Sequence, residues 1–251
     1  MRHTRLAFLA VAISTTLLAQ TPAPADFDAL VKRLEPAAMN GDAVVVKDVR
    51  LALLRALASP MPPEKTAMFR YTVAYAGWRL AFVPALSPSE QADLLNDAEV
   101  QLNAAIKIKS NFADAIGLLS SVLGIKIAKT PDLGMTLGPR SSQLLAEALA
   151  LEPANPRLLT VRGASLQNTP PEFGGDAKLA EAAYRQALTL FDAESAAKAW
   201  PSWGRFDAHA GLGQVLAARG DKAGARAEYT KALAIAPASG YVLYVLMPAV
   251  K

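Results

Sequence analysis

Two stretches of the chain carry the same order of small, large and polar positions. Gly175-Asp176-x3-Ala180-x3-Tyr184-x2-Ala187-Leu188 matches Gly220-Asp221-x3-Ala225-x3-Tyr229-x2-Ala232-Leu233 position for position, at an offset of 45 residues. Steps of three and four between apolar positions describe one face of a helix. A second apolar set, Leu212, Gly213 and Leu216, lies just before Gly220. A glycine between two such sets ends the first helix at low steric cost, because it enters the left-handed region freely. The aspartate that follows starts the second helix by accepting a bond from an otherwise unpaired amide. The pattern therefore predicts helix–turn–helix units, with Gly175-Asp176 and Gly220-Asp221 as equivalent turns. Phe173-Gly174-Gly175-Asp176 is then a turn and not a phosphate loop, which would also need a Lys-Ser/Thr pair and a preceding strand.

In this register Gly213, Ala225 and Ala232 are the small positions of one unit, and Leu212, Leu216, Tyr229 and Pro237 its large and closing ones, with His209 an atypical member. The arrangement resembles the tetratricopeptide repeat (TPR), a unit of about 34 residues. Small residues let the paired helices A and B, and B and the next A, approach closely while the large ones interlock around them. The register runs backwards through Leu159, Gly163, Leu166, Ala180, Tyr184 and Ala187, with Arg162 and Asp192 as departures. It continues through Ile116, Leu119, Ser120, Leu123, Ser141, Leu145, Ala148 and Pro153, and then through Val73, Ala76, Gly77, Leu80, Ala98, Leu102 and Ala105, where Ser110 replaces the closing proline. The resemblance implies an all-α, right-handed TPR-like α-solenoid of about four to five helix pairs, closed by a C-terminal capping helix. Its repeats fall at about 66–112, 113–155, 156–194 and 206–239, with a degenerate pair at 27–60 and the cap at 240–251, all in one domain spanning 26–251.

The spacing departs from the standard unit in informative places. Leu216 to Ala225 takes nine steps, Leu166 to Ala180 takes 14, and Leu123 to Ser141 and Leu80 to Ala98 take 18 each. Three units therefore carry enlarged A–B loops, FVPALSPSE, KTPDLGMTLGPR and NTPPEFGG, and in a solenoid all A–B loops emerge on one edge. A further surplus of eleven residues, SAAKAWPSWGR at 195–205, lies between repeats, on the opposite edge. The combination of T-P-x-x-F-G-G, G-P, N-P-R and P-x-W-G is similar to exported bacterial TPR proteins, a likeness that carries no chemistry with it.

The N-terminus points to export as well. Arg2, His3 and Arg5 precede an apolar stretch at 6–19 and the small-x-small site Ala23-Pro24-Ala25, the layout of a cleaved signal peptide. Cleavage after Ala25 fits best, and after Ala19 next. Apart from this leader no apolar run reaches membrane length. Loss of Arg2 and Arg5 lowers the formal net charge from +4 to +2, too little for an electrostatic footprint on nucleic acid. The chain has no cysteine, so an exported form relies on its core rather than on disulfides.

Candidate chemistry is sparse. With the leader removed one histidine remains, His209, at a helix-packing position, and no G-x-S-x-G elbow is present. No catalytic residue, metal set or cofactor is expected. The concave face of the array is formed by A-helix positions 2, 5, 9 and 12, here Asp114, Gly117, Ser121 and Gly124, then Arg157, Thr160, Ala164 and Gln167, then Asp207, Ala210, Gln214 and Ala217. Arg157, Gln167, Asp207 and Gln214 are its candidate contacts for a protein or peptide partner. Relatives that grip a terminal carboxylate use several Lys, Arg and Asn there, and this groove has Arg157 alone. The small residues either admit a partner segment or let the A helices pack tightly. Trp200 and Trp203 are either binding residues, a role in which Trp is enriched, or a cover over the solenoid edge. Phe173, with Met135 and Leu137 in the neighbouring loop, is either an exposed contact or a plug for its own helix pair. The expected function is a non-enzymatic exported scaffold, periplasmic or secreted. The alternative is a small-ligand-binding or accessory subunit of a periplasmic transport or export system.

Overall fold

A computed structural model describes residues 26–194 and 200–251; the leader at 1–25 and part of the inter-repeat insertion lie outside the described residues. Ten helices follow one another as antiparallel pairs: α1 (Phe27–Asn40) with α2 (Ala43–Leu57), α3 (Pro63–Leu80) with α4 (Pro88–Ile108), α5 (Ala113–Lys129) with α6 (Gly134–Leu151), α7 (Pro156–Asn168) with α8 (Ala177–Ala193), and α9 (Arg205–Ala218) with α10 (Lys222–Ile235). A wide π-type turn at Val242–Leu246, continued by Met247–Ala249, closes the C-terminal end. No strand occurs among the described residues. The fold is an all-α solenoid in which each pair stacks on the next.

Local chemistry accounts for the helix starts. Asp26, Asp42 and Asp221 each accept a hydrogen bond from the amide three residues on. Ser87 and Glu90 form a reciprocal capping box, which satisfies two orphan donors at once. Pro63, Pro88 and Pro156 open their helices, where a missing N–H costs nothing.

Close approach of helices rests on the small positions. The Tyr184 ring packs between Gly163 of its own A helix and Gly211 of the next, where a Cβ would lie 2.7 and 2.4 Å from ring atoms. Tyr229 covers Gly213 in the same way, at 2.3 Å. Between α5 and α6 the small positions are serines, and each hydroxyl bonds the other residue's carbonyl, at 2.8 and 3.0 Å. Ala98, Ala180, Ala225 and Ala232 are fully buried.

Two expectations from the sequence are corrected. Residues 129–140 are not an enlarged loop. After a short 3-10 turn at Pro131–Leu133 they continue as the first turns of α6. Leu137 and Leu144, seven residues apart on one helical face, both pack against the core and support this extension. The second correction concerns the two glycine turns. Gly220 lies just past α9 with φ 90°, as a helix-ending glycine does, but α7 stops at Asn168, well before Gly175. There Gly174 takes the left-handed conformation, φ 95°. Gly175 is glycine because a Cβ would sit 1.7 Å from the Thr169 carbonyl oxygen.

Replacing Ala225 by Leu should overpack the α9–α10 interface and cost about 1–3 kcal/mol. A thermal or denaturant melt checks this, and a shift near zero would show that Ala225 does not sit at the closest approach.

Candidate interaction surface

The concave positions of α3, in the register of the other A helices, are Tyr71, Ala74, Trp78 and Ala81, all buried. They are covered by the chain's own insertion. Residues 201–204 cross to α3 without regular secondary structure. Trp203, 2% exposed, donates its indole N–H to the Tyr71 hydroxyl at 2.6 Å. Trp200, half-buried, donates to Thr72 Oγ1 at 3.0 Å. The Tyr75 ring lies 5.0 Å from Trp200 and 5.6 Å from Trp203, and Trp78 lies 5.6 Å from Trp203. Trp203 thus belongs to the same core as α1 through α5, although it immediately precedes the last helix pair. Neither indole is offered to a partner on the edge opposite the A–B loops.

Charged groups complete this filling. Arg79 binds Asp207 through two hydrogen bonds, 2.8 and 2.6 Å, and donates to the Tyr75 hydroxyl at 3.0 Å. Arg157, 2% exposed, bonds Asp114 at 3.0 Å and Glu194 at 3.0 Å. Burial pushes the Asp114 carboxyl up, against the pull of Arg157. Burial raises the Tyr71 hydroxyl well above its ordinary value and Tyr75 to about 12, so both stay neutral donors and acceptors at physiological pH. Arg157 and Asp207, expected as groove contacts, are both engaged in ion pairs, Arg157 buried and Asp207 partly buried. Each sits at position 2, where the helix starts crowd together and the insertion closes over them.

Gln167 and Gln214 are brought together. Tyr184 donates to Gln167 Oε1 at 2.9 Å, Gln167 donates to Gln214 Oε1 at 3.1 Å, and Gln214 donates to the Tyr241 hydroxyl at 2.6 Å. This amide ladder lines the part of the concave face left partly exposed, with Ala164, Ala217 and Gly124 around it. A Cβ on Gly124 would meet open space. The concavity is thus filled near the starts of the A helices and opens toward their ends, the A–B edge.

That edge carries large apolar side chains. Phe82 is 51% exposed, Phe173 69% and Met135 81%, while Leu137 is partly buried against the core. Phe173 does not plug its helix pair. The neighbouring amides are already used: Gly174 and Gly175 donate to Pro171 and Pro170, Asp176 to the Leu166 carbonyl, and Lys178 and Leu179 to the Asp176 side chain. The turn has no free donor set for a phosphate. His209 Nδ1 lies 2.7 Å from Glu228 Oε2 between α9 and α10. Among the described residues no group of three or more His, Cys, Asp and Glu is placed to hold a metal. No described helix is long and apolar enough to cross a membrane.

The aromatic platform on α3 and Arg79 were not singled out from the sequence. Tyr71 and Trp78 occupy concave positions, and that register, extended to the first full repeat, was the available signal.

This geometry defines a TPR-like α-solenoid. TTC0263, a thermophilic TPR protein of Thermus thermophilus, superposes with a TM-score of 0.58 at 18% identity, over 85% of this chain and 96% of that one. The HusA haemophore of Porphyromonas gingivalis superposes with a TM-score of 0.54 at 25% identity, over 72% of this chain and 92% of that one. No family model matches the sequence, and no curated protein does.

Two outcomes follow for the interior groups. Arg157→Met should cost about 3–5 kcal/mol, because it leaves the Asp114 carboxylate buried without its cation; chemical denaturation measures it. Glu228 shows the opposite balance from Asp114. Burial works to raise its carboxyl, but hydrogen bonds from Lys231 and His209 outweigh this and hold it below its ordinary value. Its contribution is present above the unfolded carboxylate pKa and disappears as pH falls through the lower folded value. The melting temperatures of wild type and Glu228→Gln should differ at neutral pH and converge in acid. Curves that stay parallel would contradict the linkage.

Proposed function

We propose that the protein is a non-enzymatic scaffold, exported by its N-terminal leader, that presents its A–B loop edge to a protein partner. The observation that carries this is the contrast between the two candidate surfaces. The concave face around α3 is filled by the chain's own tryptophans and its cations are paired inside, whereas Phe82, Met135 and Phe173 stand exposed at the A–B edge. Loops on a rigid array are where binding residues concentrate, and exposed aromatics make effective anchors. The similarity to a TPR protein supports a scaffold and brings no enzymatic chemistry with it.

A second reading, a small-ligand carrier in a transport system, is favoured by one observation, the similarity to a haemophore. Titration with haemin separates the two. A saturable, stoichiometric shift of the haem absorption band supports the carrier, and a featureless titration supports the scaffold.

Phe173→Ala tests the edge directly. It should weaken capture of the partner about tenfold or more, as loss of a hot-spot residue does, with stability changed by less than about 0.5 kcal/mol. A photo-crosslinker at position 173 should give a discrete adduct in cells, and one at Val100, exposed on α4, should not. Equal adducts at both positions would defeat the proposal. Export is tested separately by N-terminal sequencing of the protein from the periplasm or medium, which should begin after Ala25 or Ala19.

A further inference from the structure

The geometry points to the aromatic face of α3 as a recognition site for an extended segment carrying two tryptophans three residues apart, with Trp200 to Trp203 as its tethered occupant. The covering segment has the features of a bound peptide rather than of a packed helix. Residues 201–204 form no regular structure, and both indoles pack against the Tyr75 ring, at 5.0 and 5.6 Å. Each indole N–H meets a hydroxyl placed for it on successive residues of one helix, Tyr71 and Thr72. Between them Ser202 donates to Glu35 of α1 at 2.7 Å.

The groups that receive the segment all lie in the first two helix pairs. Tyr71, Thr72, Tyr75 and Trp78 all come from α3, and Glu35 from α1, whereas the occupant arrives from more than a hundred residues away in sequence. Nearest-neighbour stacking of repeats therefore does not require it to be there. Specificity follows from the contacts: aromatic rings on one helix, two indole donors at that spacing, and the Glu35 carboxylate between them. A tethered ligand of this kind acts at an effective concentration on the order of millimolar, so it excludes the same sequence supplied from outside. The inference rests on the chain being an interaction scaffold. It does not involve Phe173, so the Phe173 experiments can fail without touching it, and the reverse holds too.

The test supplies the occupant in trans. A fluorescein-labelled peptide of residues 200–205, WPSWGR, is titrated into the full chain carrying Trp200→Ala and Trp203→Ala, with retention of the helical spectrum checked first. The expected result is saturable binding, at least tenfold weaker for the peptide with both tryptophans replaced by alanine and at least tenfold weaker for the wild-type chain. A folded double variant that does not distinguish the two peptides overturns the proposal. If the double variant loses its helical spectrum, Trp200→Ala with Trp203→Phe keeps a ring in the core. Failure of that chain to fold or to take up the peptide shows the segment to be an integral part of the core, and likewise overturns it.

Discussion

The contact between Trp203 and the Tyr71–Tyr75–Trp78 face of α3 is the interaction that turns a stack of helix pairs into a closed array. A solenoid made of neighbour-to-neighbour contacts has two independent ends and an open concavity. Here the indole, its hydrogen bond to Tyr71 and the nearby Arg79–Asp207 pair join the second helix pair directly to the fifth. Asn40 extends the closure, accepting a hydrogen bond from the Ala238 amide just past α10. Packing two indoles against three aromatic rings removes a large apolar area from water, and the Trp200, Trp203, Tyr71 and Tyr75 polar tips are hydrogen-bonded on the way in.

Closure explains why so many charges are inside. Arg157 and Asp114 would be ordinary groove residues in an open array. With the insertion over them they are desolvated, and only mutual pairing makes that tolerable. The raised Asp114 carboxyl and the raised tyrosine hydroxyls have the same cause, loss of water rather than any arrangement for proton transfer. Perturbed groups often mark an active site; Asp114, Tyr71 and Tyr75 instead mark the seam where the solenoid closes. What stays accessible is the amide ladder of Gln167 and Gln214 and the apolar residues beyond it at the A–B edge.

The helix pairs and their order were legible in the residues because they depend on local chemistry. Aspartate caps, opening prolines, Gly220 and the small positions each act within one unit or between adjacent units, so a repeating pattern records them. Gly163 and Gly213 under tyrosine rings are the clearest case, since the pattern demanded small opposite large and the structure places them in contact. The sequence also identified Gln167 and Gln214 as groove residues and Phe173 as a candidate exposed contact, from helix position and loop position alone.

Other features were decided only by tertiary structure. Whether residues 129–140 looped or continued α6 depended on Leu137 finding core to pack against, which spacing does not reveal. Gly175 matches Gly220 in the pattern, yet its reason for being glycine is a carbonyl oxygen brought close by a turn of different length. Above all, the fate of Arg157, Asp207, Trp200 and Trp203 turned on contacts between segments far apart in the chain, more than a hundred residues for all but Arg157. A repeat pattern reports what each unit does to its neighbour. It carries no record of an insertion that reaches past two helix pairs to the face of α3, because that encounter exists only once the array has curved.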